Sequence, residues 1–108
     1  MPQLKIRGIG TNKLKEISKE LIDDLTEIVG CPRDYFTIEC ISTTSIFDGE
    51  IVDTYPFIEI AWFDRGQEIQ DKVAKIITKY VNKIGVQDLD MTFTIFDKSR
   101  YYENGKHF

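Results

Sequence analysis

Two stretches decide the fold: Pro2-Gln3-Leu4-Lys5-Ile6-Arg7 and, 54 positions later, Pro56-Phe57-Ile58-Glu59-Ile60-Ala61. Each opens on a proline, alternates side chains at the period of a strand, and stands ahead of an amphipathic segment. A second pair, Phe36-Thr37-Ile38-Glu39-Cys40-Ile41 and Met91-Thr92-Phe93-Thr94-Ile95-Phe96, aligns at an offset of 55 and follows those segments. The order is β-α-β-β-α-β. The chain therefore reads as an α+β fold built from a duplicated β-α-β unit, a four-stranded sheet with two helices on one face, over pseudo-repeats 2–43 and 56–97 with a hairpin tail over 99–108.

The helices follow from spacing. Leu14, Ile17, Leu21, Ile22, Leu25, Ile28 and Val29 share one face of the first, bounded by Thr11 or Asn12 and by Gly30. Ile69, Val73, Ile76, Ile77, Tyr80, Val81 and Ile84 share a face of the second, which starts after Asp64 and stops at Gly85, where a left-handed cap suits glycine. A helix joining parallel strands crosses right-handedly, so both lie on the same side of the sheet. Alternation then turns Leu4, Ile6, Phe36, Ile38, Ile58, Ile60, Met91, Phe93 and Ile95 toward the helices. The reverse face carries Lys5, Arg7, Thr37, Glu39, Phe57, Glu59, Phe63, Thr92, Thr94 and Phe96. That mixture suits a subunit interface with cross-strand ion pairs; the alternative is the solvated face of a monomer.

Two tight turns are legible. Asp48-Gly49 lies between Ser45-Ile46-Phe47 and Glu50-Ile51-Val52, and Asn104-Gly105 would pair Glu103 with Lys106, Tyr102 with His107 and Tyr101 with Phe108. One local preference is violated. The first helix begins with Lys13 and Lys15 and ends with Asp23, Asp24 and Glu27, against its dipole, an arrangement expected if those lysines serve an anion site close to Pro2.

Composition bounds the function. With 108 residues, 42 % of them hydrophobic, the chain has enough core for one domain, 1–108, without staples. Cys31 and Cys40 with a lone His are too few for a zinc site or a disulfide framework, and they read as two reduced, buried thiols. Fourteen basic against 18 acidic residues give a net charge of −4, the wrong sign for nucleic-acid binding. The stripe Lys72, Lys75, Lys79 and Lys83 reads as a solvated helix face supported by Glu68 and Asp71. No apolar run approaches the roughly 20 residues that span a bilayer, and the start lacks signal-peptide features, so no membrane association and a cytoplasmic location are expected.

A proline directly after the initiator Met, two strand-helix-strand halves and an aromatic C-terminal hairpin together resemble the tautomerase superfamily. In length and two-repeat organisation the chain resembles macrophage migration inhibitory factor. Pro56 to Gln67, with Phe63-Asp64-Arg65-Gly66, resembles the strand-to-helix junction of 4-oxalocrotonate tautomerase, which bears an Arg there. Trp62-Phe63-Asp64-Arg65 with the Tyr101 to Phe108 segment resembles a bacterial family of unassigned function within that superfamily. The resemblance implies a homotrimer whose sheets enclose a central channel with the helices outside, and it implies no cofactor.

The chemistry starts at Pro2. Loss of Met1 leaves a secondary amine, and an apolar pocket near other cations lowers the basicity of such a group until it is a competent general base at neutral pH. A proline opening an edge strand is also ordinary structure. The enolate or carboxylate needs a cation, for which Arg65 at a strand-to-helix junction is the first candidate. The resemblance points to a second cation between the first helix and second strand, which falls on Arg33, or on Cys31 with a different gap. Tyr35, Tyr101, Tyr102 and Phe108 are available as aromatic walls and His107 as a further contact, though stacking on Tyr102 accounts for it equally. Trp62 points at the helices and reads as core, and Glu39 and Glu59 read as partners of Lys5 or Arg7.

The resulting expectation is a tautomerase-like protein, a keto-enol isomerase requiring removal of Met1, with Pro2 moving a proton at an enolisable α-keto acid or related carboxylate and no metal. Met1, where retained, is expected over a cleft between subunits lined by Pro2, Arg65 and the terminal hairpin. The alternative is a non-enzymatic oligomeric binding or regulatory module with a ferredoxin-like, antiparallel sheet.

Overall fold

The proline that opens each half marks where its strand begins. Pro2 has no N–H to give, but its carbonyl accepts from the Thr37 N–H at 3.1 Å, and the Pro56 carbonyl accepts from the Asp90 N–H at the same distance. In the computed structural model, which describes residues 1–108, β1 (Gln3–Arg7) leads through α1 (Thr11–Val29) to β2 (Thr37–Ile41). After a hairpin of β3 (Ser45–Phe47) and β4 (Glu50–Val52), β5 (Phe57–Trp62) leads through α2 (Gln67–Lys83) to β6 (Asp90–Ile95). A small hairpin of β7 (Tyr102–Glu103) and β8 (Lys106–His107) ends the chain.

The main sheet has the order β2-β1-β5-β6. Strands within each half are parallel, and the halves join through the antiparallel pair β1 and β5. This corrects two expectations. The sheet is not the antiparallel, ferredoxin-like one, because each helix returns its chain to a parallel neighbour of the strand it left. Pro2 opens a central strand, tolerated there because it stands one residue ahead of the ladder.

Lys5 faces Glu59, its own counterpart in the other repeat, so a pseudo-twofold axis passes between them. The outer strands are set two residues away from the best sequence alignment: Leu4 pairs with Ile38 and Ile58 with Met91, so Ile38 rather than Phe36 is the counterpart of Met91. A slip of two leaves the same side chains facing inward, and alternation alone cannot detect it.

Leu4, Ile6, Ile58 and Ile60 from the central strands meet Leu14, Ile17, Leu21 and Leu25 of α1 and Val73, Ile77, Tyr80 and Val81 of α2 in one core cluster of 15 buried residues. Trp62 belongs to it, 1 % exposed, with its ring 5.2 Å from that of Phe93. Ile95, expected inside, is 48 % exposed because it ends an edge strand outside that cluster. The two thiols are free and only half-buried.

The reversed charges of α1 have a tertiary explanation. Asp23 pairs with Arg33 at 2.8 Å, and Asp24 accepts from the Tyr80 hydroxyl at 2.5 Å, tying α1 to α2. Lys13 and Lys15 are exposed at the far end of β1 from Pro2 and serve no site beside it. On the reverse face, Lys5 stands in register with both Glu39 and Glu59 yet forms no ion pair with either. Glu59 instead accepts from the Thr94 hydroxyl at 3.5 Å, and the Arg7 guanidinium lies 4.8 Å over the Phe57 ring. No helix is long and apolar enough to cross a membrane.

One backbone contact is unusually close. Gly8, at φ +82°, comes so near the second half that an added Cβ would stand 2.7 Å from the Thr54 carbonyl oxygen and 2.9 Å from Pro56 Cα. Gly8→Ala is expected to cost about 2 kcal/mol or more and lower Tm by about 10 °C. Gly30→Ala, with open space at φ +77°, should cost only about 1 kcal/mol; thermal unfolding of the two variants compares them.

Alkaline unfolding tests the helix-helix tie. Hydrogen bonding to Asp24, then burial, pushes the Tyr80 hydroxyl up from 10.0 to about 12. The neutral phenol is the form held in the fold, so its contribution is complete below pH 10 and is lost as pH rises toward 12. Tm of the wild type should fall more steeply over that window than Tm of Tyr80→Phe, and parallel profiles would exclude the effect.

Candidate functional site

The end of the sheet at which Pro2 lies is closed by aromatic rings. Phe63, the residue after β5, stacks on Phe108 at 5.3 Å and meets the edges of Tyr101 and Phe96 at 5.1 and 5.5 Å. Tyr101 in turn contacts Phe96 at 4.9 Å and Phe108 at 5.1 Å, so four rings clamp the C-terminal hairpin to the β5 end. The hairpin has the anticipated register, with Tyr102 opposite His107 and Glu103 opposite Lys106, and the Phe108 N–H donates to the Tyr101 carbonyl at 3.0 Å. Asn104 and Gly105 both take positive φ, 52° and 85°, as a two-residue turn of this type requires.

Between this clamp and the start of β1 lies a cavity of about 300 Å³. Met1 and Cys31 line one part of it, Tyr35 and Arg65 the next, and Phe63, Glu103 and Phe108 the rest. Pro2 is buried immediately beneath Met1. Arg65 is fixed from two sides: Nη1 donates to the Phe63 carbonyl at 2.7 Å, and the guanidinium lies 5.1 Å over the Trp62 ring. Gly66, at φ 86°, with its N–H on the Asp64 carboxylate at 2.9 Å, makes the turn that sends the chain into α2 and leaves Arg65 facing the cavity.

The electrostatics oppose positive charge there. Burial, then the Arg65 guanidinium, holds the Met1 amine below its usual range, with the Cys31 thiol acting weakly the other way. Burial pushes the Cys31 thiol up, against smaller opposite effects from Arg65 and the amine. The arrangement can hold an anion at Arg65 beside an amine with a reduced tendency to be protonated.

Of the anticipated site residues, the fold brings Arg65, Tyr35 and Phe108 into the cavity and puts Tyr101 in the clamp behind it, while Pro2, expected in the lining, is buried and reaches the cavity only through its neighbour Met1. Three others lie elsewhere. Arg33 turns onto α1, pairing with Asp23 and donating to the Lys19 carbonyl at 3.4 Å. Tyr102 and His107 stack edge-to-face at 5.9 Å on the outer side of the hairpin. Strand alternation explains the split, since Tyr101 and Glu103 share one face and Tyr102 the other. Cys31, the alternative to Arg33 between α1 and β2, does line the cavity; Phe63 is a lining residue the sequence reading does not single out, and Glu103 enters that reading only as part of the terminal hairpin. The hairpin register, once fixed, carried the signal for Glu103; for Phe63 the end of β5 masked it. A larger depression of about 530 Å³ on the outer face of α2 is open and walled by Lys75, Thr78, Lys79 and Asn82, with Ala74 its one apolar side chain.

Residues 1–107 match the domain of unknown function DUF1904. The chain belongs to the DUF1904 family. A DUF1904 structure from Sebaldella termitidis ATCC 33386 is 39 % identical, covers 100 % of both chains and superposes with a TM-score of 0.91. The DUF1904 fold here is also that of a macrophage migration inhibitory factor-like protein from Entamoeba histolytica (21 % identity, 99 % of this chain and 98 % of that one, TM-score 0.72). It matches the R7 fused 4-OT, solved as an asymmetric trimer, at 12 % identity over 97 % and 94 % of the chains with a TM-score of 0.74. These likenesses show a fold shared with the migration inhibitory factor-like protein and the fused 4-OT. No curated protein matches the sequence.

Phe63, which like Tyr101 meets each of the other three rings of the clamp, is the one of the two that lies outside the tail, so Phe63→Ala should release the hairpin without unfolding the helices. Limited trypsin digestion is expected to cut faster after Arg100 and Lys106, with helical circular dichroism unchanged; equal digestion rates would show that the clamp does not hold the tail.

Proposed function

We propose that this DUF1904 protein transfers a proton at an enolisable α-keto acid, with Pro2 as general base once Met1 is removed and Arg65 binding the acid. The observation that carries this reading is the pairing of a buried N-terminal segment with a fixed guanidinium in one ligand-sized cavity, where a positive amine is disfavoured. Removing Met1 empties part of that cavity and converts the Pro2 nitrogen from a tertiary amide into a secondary amine. Its lone pair then takes the proton beside the carbonyl and returns it at the other end of the enolate, while Arg65, its attraction strengthened by the apolar walls, stabilises the developing negative charge. Tyr35, Phe63 and Phe108 supply the aromatic part of the wall around this exchange.

Self-association follows from two unspent surfaces. Ile46, Phe47 and Ile51 of the β3–β4 hairpin are 71 %, 73 % and 77 % exposed, and Lys5 and Glu39 have no ion partner within the chain. A homotrimer in a cytoplasmic setting, closing the reverse faces of three sheets around an axis, would cover both. The second reading is a binding site in an oligomeric regulatory module, since in any chain that keeps Met1 the Pro2 nitrogen is an amide with no basic lone pair.

The test is enol-to-keto conversion of phenylpyruvate. Processed wild type should exceed Pro2→Ala by about 10²-fold or more, as loss of a positioned base predicts. Protein retaining Met1 should be inactive, and Arg65→Ala should raise KM by about tenfold or more. Equal rates for wild type and Pro2→Ala would remove Pro2 from the mechanism and leave the binding module. Native mass should give three copies of the chain.

A further inference from the structure

The cavity holds a negative charge that the proposed chemistry does not use. Glu103 lines it together with Arg65, and the two do not form an ion pair. Arg65 is held away by its bond to the Phe63 carbonyl and its seat on Trp62. Lys106, directly across the hairpin, does not close on Glu103 either. A fixed cation and a separate, unpaired carboxylate therefore face one small cavity, with the apolar rings of Phe63 and Phe108 completing its wall.

We infer that Glu103 is a specificity-determining residue and that the site selects dipolar ligands: an acid or α-keto acid group for Arg65 and an ammonium or other hydrogen-bond donor for Glu103, joined by a flat apolar body. The inference rests on the keto-acid reading of the same site. A ligand with an anionic head alone would satisfy Arg65 but bring a second negative charge into the cavity that the Glu103 carboxylate lines and leave that carboxylate without a partner. A ligand with a donor at its far end supplies the counter-charge that neither Arg65 nor Lys106 gives Glu103, and that difference sets the selectivity. Glu103 binds in this scheme and takes no part in proton transfer.

Two stable acids separate binding from turnover: 3-phenylpropanoate and its 4-aminomethyl derivative, titrated by calorimetry into processed wild type, Glu103→Gln and Glu103→Lys. Glu103 is exposed on a hairpin, so unchanged melting temperatures are expected for both variants. Wild type should bind the amino acid derivative about tenfold more tightly, as a charge-assisted pair gives. Glu103→Gln should lose that preference and Glu103→Lys should reverse it. Equal affinity of the two acids for wild type, or a preference that survives in Glu103→Gln, would overturn the inference and leave the keto-acid reading standing. Binding of neither acid would overturn both.

Discussion

The antiparallel contact between β1 and β5 is the constraint on which the rest of the molecule depends. Each half alone is one parallel strand pair with one helix, too little to bury its own apolar face. Joining the halves through their first strands places Leu4 and Ile6 beside Ile60 and Ile58, and brings α1 and α2 together over them. It also sets the two ends of β1 apart. One end carries Gly8 pressed against Thr54 and Pro56; the other begins at the buried Pro2, preceded by Met1, which lines the cavity. The site exists because β5 ends beside the place where β1 begins, so that Phe63 and Arg65 arrive next to Met1.

How much of this was legible depends on the period of each signal. Element order, both helices, the inward face and both tight turns came from repeats of two and of about 3.6 residues and from Asp-Gly and Asn-Gly, all of them local. The two-residue slip of the outer strands escaped because it changes no side chain's face. Ile95 escaped because alternation says which way a residue points and not whether anything stands above it.

The site was legible to the extent that it hangs on backbone turns. Arg65 is aimed by the Asp64-Gly66 turn, which is written in adjacent residues. Arg33 was misassigned because its partner, Asp23, lies ten residues back on a helix face, and an attraction of that kind leaves no mark in spacing. The same fact resolves the reversed charges of α1: its C-terminal acids are committed to Arg33 and Tyr80, and tertiary partners outweigh a dipole worth a few tenths of a kcal/mol.

The duplication has an asymmetry built into it. Pro2 and Pro56 head equivalent strands and accept equivalent hydrogen bonds, but the nitrogen of Pro56 is sealed in a peptide link to Tyr55. A chain has one amino terminus, so a repeated architecture cannot repeat a chemistry that depends on it. The surroundings of the second copy are hydroxyls: Thr43 and Ser45 meet the Thr54 side chain at 2.8 and 2.7 Å and, with Arg7 and Tyr55, line an open depression of about 410 Å³ that holds no aromatic clamp and no chain end. A doubled architecture of this kind can offer a free amine at one of its two equivalent ends only.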